Sequence, residues 1–370
     1  MRILYLYLNA FSAIGGIQKF NKNFLRALSE IEFMIVSNSL YDLRNDLPVI
    51  NNTKLYSAEN NKLKFIINSL KFGFNSDIIV LGHINLTFPL VIFYKLLFPQ
   101  KEIILITHGI EIWQRLSFLK KYSLNKCDKI ITVSNYTKKR IIEVQGIKAD
   151  KIYILHNTID ENFKPYQNKE RPIDLLKKHK LTGNEKIILT VCRLSSSEKY
   201  KGYDRIIKIL PKLLNKYPSL RYILAGKGDQ TEIKRLSLLV KDNKVEKNVI
   251  ITGYVFEEDL PKYYNLCDVF ILASRKEGFG IVFLEALISG KPVIGGNMDG
   301  SVDALLNGKL GTLINPENDE EIYESIVTNL NKDKEELTMR SFEIKSMVEE
   351  AFGFGNFKNN IFRILCNKPL

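Results

Sequence analysis

Between Ser274 and Leu287 the chain reads Ser-Arg-Lys-Glu-Gly-Phe-Gly-Ile-Val-Phe-Leu-Glu-Ala-Leu, with Glu277 and Glu285 bracketing two glycines. Gly278 and Gly280 free the backbone to approach a ligand closely. Amides at a helix start attract an anion, most naturally a phosphate or pyrophosphate. On one continuous helix, a rise of ~1.5 Å per residue separates the two glutamates by about 12 Å. Glycosidase carboxyl pairs stand at ~5 Å or ~6.5–9.5 Å. The spacing therefore excludes an acid/base pair and suits two ends of one elongated ligand. A capped surface helix with solvated carboxylates is the bland alternative.

A second candidate is Arg193-Leu194 followed by Lys199-Tyr200-Lys201-Gly202, directly after the apolar run Ile187–Val191. An Arg and a Lys beyond the carboxyl end of one strand can clamp a diphosphate leaving group, although a solvated basic loop has the same composition. Ala225-Gly226-Lys227-Gly228 and Gly253-Tyr254-Val255 also end apolar runs, but no Gly-x-Gly-x-x-Gly occurs, so the nicotinamide fingerprint is absent. Toward the N-terminus, Gly15-Gly16 follows the first apolar run and fits either a phosphate approach or a tight turn. His108, in Thr107-His108-Gly109, closes another run; the other histidines are His83, His156 and His179. There is no Asp-x-Asp, the usual carboxylate pair for a metal-bound nucleotide diphosphate. Arg193, Lys201 and helix amides would then have to neutralise a departing diphosphate.

The elements that must position these groups are short β-branched runs separated by helix-length segments. They fall at Ile3–Leu8, Phe33–Ser37, Asp77–Leu81, Glu102–Thr107, Lys129–Val133 and Lys151–Leu155. Such alternation predicts a parallel sheet covered by helices on both faces. Asn162–Glu185 breaks the rhythm with Pro165, Pro172 and Gly183 and reads as a connection. The pattern restarts at Lys186–Val191, Arg221–Ala225, Asn248–Thr252, Val269–Leu272, Pro292–Ile294 and Gly311–Ile314, with helices over Tyr203–Tyr217, Gln230–Lys241 and Phe279–Ser289. The expectation is two doubly wound α/β domains facing across a cleft, with ligands beyond the carboxyl ends of the strands.

Length and composition agree. Three hundred and seventy residues, 45% hydrophobic and 11% aromatic, exclude disorder and fibrous repeats. Cys127, Cys192, Cys267 and Cys366 are too dispersed for a zinc site or a disulfide framework. The net charge of +13 is uneven: residues 1–175 hold 24 Lys/Arg against 15 Asp/Glu, a net of +9. That half should meet something anionic, and nucleic acid is the weakest choice because the cations are dispersed and no recognition motif accompanies them. Met1–Leu8 reads as a first buried strand rather than a signal peptide, and the chain as cytoplasmic. Ile78–Phe98 is long enough to span a membrane, but Gly82, His83 and Asn85 point to strand, loop and buried helix instead.

Glu277-Gly278-Phe279-Gly280 with Glu285, followed by Gly290-Lys291-Pro292-Val293-Ile294, resembles the Glu-x7-Glu signature of glycosyltransferase family 4. Arg193 with Lys201-Gly202, Gly15-Gly16 and His108-Gly109 match that family's other landmarks in the same order. The resemblance implies a GT-B fold, a nucleotide diphosphate sugar (GDP- or UDP-linked) as donor substrate, retention of configuration and no required metal or cofactor. It implies a first domain over 1–165 for the acceptor, a second over 166–351 for the donor, and a final helix at about 352–370 returning to the first. Arg193 and Lys201 would stabilise the leaving diphosphate, Glu285 would bind the ribose, and Glu277 the sugar hydroxyls near the Gly278, Phe279 and Gly280 backbone. His108 would contact the donor sugar, Gly15 and Gly16 would approach the phosphate, and Gly253 and Val255 would lie near the base. Cys192 departs from the family, which usually has Gly there, and Gly295–Ser301 departs from its commonest sequence.

The expected activity is hexose transfer, with mannose as the first guess, to a glycan or lipid-diphosphate-linked glycan in cell-surface polysaccharide or glycoconjugate synthesis. A nucleotide-sugar epimerase of related fold and a noncatalytic nucleotide-sugar-binding subunit are the alternatives. Two basic, apolar stretches, Asn61–Phe72 and Trp113–Tyr122, suit the headgroup layer of an anionic membrane. Peripheral attachment to the inner face would bring the enzyme to a lipid-linked acceptor.

Overall fold

The computed structural model describes residues 1–168 and 170–368, and these divide into two compact units. The first comprises Met1–Asp160 with Phe352–Leu370, and the second Glu161–Ala351.

Apolar β-branched runs make the strands because, in a parallel sheet with helices on both faces, every position is buried. In the first unit these are β1 (Arg2–Tyr7), β2 (Met34–Ser39), β3 (Thr53–Ser57), β4 (Ile78–Leu81), β5 (Glu102–Thr107), β6 (Lys129–Thr132) and β7 (Ile152–Ile154). All pair in parallel in the order β3-β2-β1-β4-β5-β6-β7. β3 has no counterpart among the apolar runs of the sequence. It is an edge strand, Thr-Lys-Leu-Tyr-Ser, whose Lys54 and Tyr56 face solvent, so its signal is diluted by polar residues.

The second unit contains β8 (Ile187–Val191), β9 (Arg221–Ala225), β10 (Val249–Gly253), β11 (Val269–Leu272), β12 (Val293–Gly296) and β13 (Thr312–Ile314). Their order is β10-β9-β8-β11-β12-β13, again all parallel. In both sheets the winding reverses beside the first strand, between β1 and β4 and between β8 and β11. Doubly wound sheets bind ligands at that reversal, beyond the carboxyl ends of the strands.

The apolar stretch at residues 78–98 divides into β4, a turn at Ile84–Leu86 and helix Thr87–Leu97. Among the described residues no helix is long and apolar enough to cross a membrane. The last helix, Phe354–Leu365, packs on helix Gly16–Glu30. Phe357 meets Phe20 edge-on at 5.7 Å, Arg26 lies over Phe354 at 4.9 Å, and Lys358 pairs with Glu30 at 2.9 Å. The buried Lys129 ammonium donates to the Ile364 carbonyl at 2.6 Å. The connection read at 162–185 lies in the second unit and carries a short helix, Ile173–Lys178.

Candidate functional site

In the second unit the two loops beside the winding reversal follow β8 and β11. The β8 loop is pinned to its neighbour: Cys192 N–H donates to the Ala225 carbonyl at 3.0 Å and Leu194 N–H to the Lys227 carbonyl at 3.0 Å. Gly226 must be glycine here, since a Cβ would stand 1.8 Å from the Cys192 carbonyl oxygen. The loop then turns through Lys199–Lys201 into helix Tyr203–Lys216. Gly202, at φ +76°, crosses so close to β11 that a Cβ would fall 2.0 Å from the Ala273 carbonyl oxygen. Arg275 N–H donates to the Tyr200 carbonyl at 2.9 Å, tying the two loops together.

This packing brings Lys201 to Glu277, 2.5 Å apart, with both side chains about six-sevenths covered. Burial disfavours the Lys201 charge, but the Glu277 carboxylate outweighs it and holds the ammonium above its ordinary range. Arg193 does not join them. Its exposed guanidinium pairs with Glu198, a largely buried carboxylate of the same loop.

Glu277 itself precedes the helix, which runs Ile281–Ile288 with Gly280 at φ +93° before it. The 12 Å separation expected for one continuous helix therefore does not apply. Gly278, Phe279 and Gly280 make a turn that sets the two glutamates in different surroundings. Glu277 N–H donates to Asp299 at 2.6 Å, and its carbonyl accepts from Gly300 N–H at 2.8 Å. Asp299 is fully buried and also accepts from Ser301 N–H at 2.9 Å; burial, opposed by the Ser301 bonds and reinforced by the Glu277 charge, pushes it up to about 7. Glu285 is 2% exposed and accepts the Tyr264 hydroxyl at 2.8 Å. Burial, with the Glu285 charge beside it, raises Tyr264 well above its ordinary value. Phe279 is a core side chain, so only its backbone could serve a ligand. Gly253, at φ +72°, ends β10, the edge strand, and its carbonyl accepts from Gly226 N–H at 3.0 Å; half-buried Val255 follows.

In the first unit, Gly15 and Gly16 begin helix Gly16–Glu30 after β1, and nothing stands within 4 Å of where a Gly16 Cβ would be. The loop before them wraps a buried carboxylate: Asp42 accepts from the amides of Ala10, Phe11 and Ser12 at 2.9–3.1 Å. His108 directly follows β5, with its amide on Glu111 at 2.5 Å and its Nε2 donating to the Gly82 carbonyl at 2.9 Å. A carbonyl only accepts, so Nδ1 carries the lone pair of the neutral ring. Burial lowers His108 to about 4, opposed by the Gly82 bond. His83, at the end of β4, lies alongside with its ring centroid 6.4 Å away and is likewise lowered, chiefly by burial, to about 4. Its Nδ1 accepts from Asn85 N–H at 3.1 Å.

Glu198, Asp299, Tyr264 and Asp42 were not among the residues singled out by type and spacing. Asp299 does fall in Gly295–Ser301, the stretch noted for its departure from the family, and Glu198 lies inside the Arg193–Lys201 interval. Trp113, read as part of a surface patch, is 5% exposed and donates to Thr137 at 3.1 Å, so it belongs to the core. Among the described residues no group of three or more His, Cys, Asp or Glu is placed to hold a metal ion.

Comparison with known proteins adds a family context. The family described as "Glycosyl transferases group 1" matches residues 173–344, and "Glycosyltransferase Family 4" matches residues 14–163. A GDP-mannose-dependent alpha-(1-6)-phosphatidylinositol monomannoside mannosyltransferase of Mycobacterium tuberculosis is 30% identical over 220 residues, covering 56% of this chain and 55% of that protein. The chain thus spans about half the length of such curated relatives. A Haemophilus influenzae protein described as an uncharacterized glycosyltransferase is 26% identical over 365 residues, 93% of this chain and 90% of the relative. Among solved structures, Anabaena HepE in complex with UDP superposes with a TM-score of 0.79 at 18% identity, covering 99% of this chain and all of that one. The likeness to HepE is one of fold: two doubly wound domains of the GT-B kind.

Proposed function

Because the chain belongs to glycosyltransferase family 4, we propose that it transfers a hexose from a nucleotide diphosphate sugar to a hydroxyl of a glycan or lipid-linked glycan, with retention of configuration. One observation carries this: β8 beside β11 delivers the Lys201 ammonium to the Glu277 carboxylate, joining the two motifs that the chemistry needs. Relatives that use GDP-mannose and a fold neighbour that holds UDP support a nucleotide diphosphate sugar, with GDP-mannose the first to test.

Arg193 and Lys201 neutralise the charge that develops on the departing diphosphate, the task of preorganised cations at a transition state. Glu277 accepts hydrogen bonds from sugar hydroxyls, and Glu285 receives the ribose. The Gly278, Phe279 and Gly280 backbone lines the sugar side, and Gly253 and Val255 the base. From the first unit, Gly15 and Gly16 offer backbone to phosphate and His108, a neutral imidazole, contacts the sugar. The first unit, Met1–Asp160 with Phe352–Leu370, serves the acceptor, and the second, Glu161–Ala351, the sugar donor.

The acceptor end of the proposal rests on three helices of the first unit that pack side by side, Lys62–Phe74, Thr87–Leu97 and Phe118–Lys126. They expose Leu63 (68%), Leu96 (73%) and Phe118 (82%), and the same helices carry the exposed Lys62, Lys71 and Lys121. Exposed apolar side chains on helices that also expose lysines suit an anionic membrane surface, which would present a lipid-diphosphate acceptor.

The test is direct. The purified chain is screened against GDP- and UDP-sugars by thermal stabilisation, since ligand binding raises apparent stability. The stabilising sugar is then used to follow nucleotide release and transfer. Arg193→Ala and Glu277→Ala should each lower transfer by at least about 100-fold, as removal of a transition-state contact does. Folded variants that keep full rates would sink the assignment. Conversion of the nucleotide sugar without any acceptor would favour the epimerase.

A further inference from the structure

We propose that Glu198 sets the affinity of the second unit for the diphosphate by competing with it for Arg193. This rests on the assignment of Arg193 and Lys201 to the leaving diphosphate. The two cations are held differently. Lys201 and Glu277 are both largely covered, whereas the Arg193 side chain is 72% exposed and its partner Glu198 only 13%. Both backbones are fixed. Leu194, next to Arg193, is bonded to Lys227 and bridges to Gly228. Glu198 N–H donates to the Ser195 carbonyl at 2.8 Å, and its own carbonyl accepts from Lys201 N–H at 3.0 Å. Ser196 is anchored in turn by its amide on Asp229 at 2.8 Å. The exposed guanidinium is thus the part free to turn.

An Arg presents a planar fork that fits a carboxylate and a phosphate equally well. In the resting chain Glu198 occupies that fork. A diphosphate that takes Arg193 must displace the Glu198 carboxylate, so part of the binding energy is lost to the exchange. The internal carboxylate thereby discriminates by charge: a ligand with two phosphates can displace it, and a neutral nucleoside gains nothing from doing so.

The test measures UDP and GDP binding to the whole 370-residue chain by calorimetry, with uridine and guanosine as uncharged controls. Glu198→Gln keeps the shape and removes the charge. It should tighten UDP and GDP by about two- to five-fold and leave the nucleosides unchanged. That range is the strength of a part-exposed ion pair, ~0.4–1 kcal/mol at ~1.4 kcal/mol per decade. Glu198→Ala should behave in the same way. In an Arg193→Ala background, Glu198→Gln should have no effect, because the competition runs through Arg193. Unchanged or weaker diphosphate binding by Glu198→Gln overturns the proposal, and so does equal tightening in both backgrounds, which would mean a general loss of negative charge. Wild-type protein that binds neither UDP nor GDP removes the diphosphate assignment itself and the proposal with it. Failure of the one is therefore told apart from failure of the other.

Discussion

Replacing Lys201 with Met leaves Glu277 without its cation while keeping most of the side-chain volume. The two groups stand 2.5 Å apart, at 13% and 15% exposure, and Asp299 lies fully buried behind the Glu277 amide. Removing one member of a buried pair costs roughly 3–5 kcal/mol, because an uncompensated charge is left behind. The remaining exposure lets Glu277 recover some hydration, so Lys201→Met should cost about 3 kcal/mol at pH 7. Lys201→Met with Glu277→Gln removes both charges, and replacing both members of such a pair is often nearly neutral. The double variant should therefore recover to within about 1 kcal/mol of wild type, about 2 kcal/mol better than Lys201→Met alone, so that its cost falls well short of the sum of the two singles. Hydrogen exchange of peptides from β8 and β11 against urea reads the second unit alone. Added UDP supplies the functional half: it should protect those peptides in the wild type and in neither variant. Singles whose costs simply add in the double would refute the coupling. UDP protection surviving in the stable double variant would refute the role of Lys201 in holding diphosphate.

The first unit should lose stability on mild acidification. His83 and His108 are lowered from about 6.5 to about 4, chiefly by burial. A depressed histidine adds no penalty above the unfolded value of about 6.5; below it the unfolded chain takes up a proton that the fold refuses, and stability falls until about pH 4. Between pH 7 and 5 that amounts to about 2 kcal/mol per histidine. Trp113, the single tryptophan, lies buried in this unit and reports its urea midpoint by fluorescence, with no shift between the two pH values as the refuting result. Asp299, in the second unit, works in the opposite sense: raised to about 7, it favours the fold at low pH and loses that contribution as pH rises through 7. For the exposed helices, co-sedimentation with vesicles rich in anionic lipid should fall with added salt and with Phe118→Ser. Retention that neither change alters, or none at all, counts against membrane contact.

How much of this was legible in the sequence depends on what kind of fact was sought. Strands buried on both faces announce themselves, and twelve of the thirteen lie on apolar runs; β3 escaped because an edge strand keeps Lys54 and Tyr56 in solvent. Candidate chemistry was legible as residue types at the ends of those runs. Partnership was not. Lys201 and Glu277 are 76 residues apart, and only the strand order that sets β8 beside β11 makes them neighbours. The spacing of the two glutamates misled for a local reason: a helical rise assumes helical backbone, and Gly280 at φ +93° interrupts it. The close approaches explain why glycine is needed around this turn, since a Cβ on Gly300 would stand 2.1 Å from the Gly278 carbonyl oxygen. The orientation of Glu277 then comes from Asp299, whose carboxylate takes its amide, and from Lys201, whose ammonium takes its side chain. Glu285 is oriented by Tyr264 instead. The eight-residue interval therefore encodes a turn followed by a helix, which presents one carboxylate beside a cation at the loop and buries the other in the unit behind it.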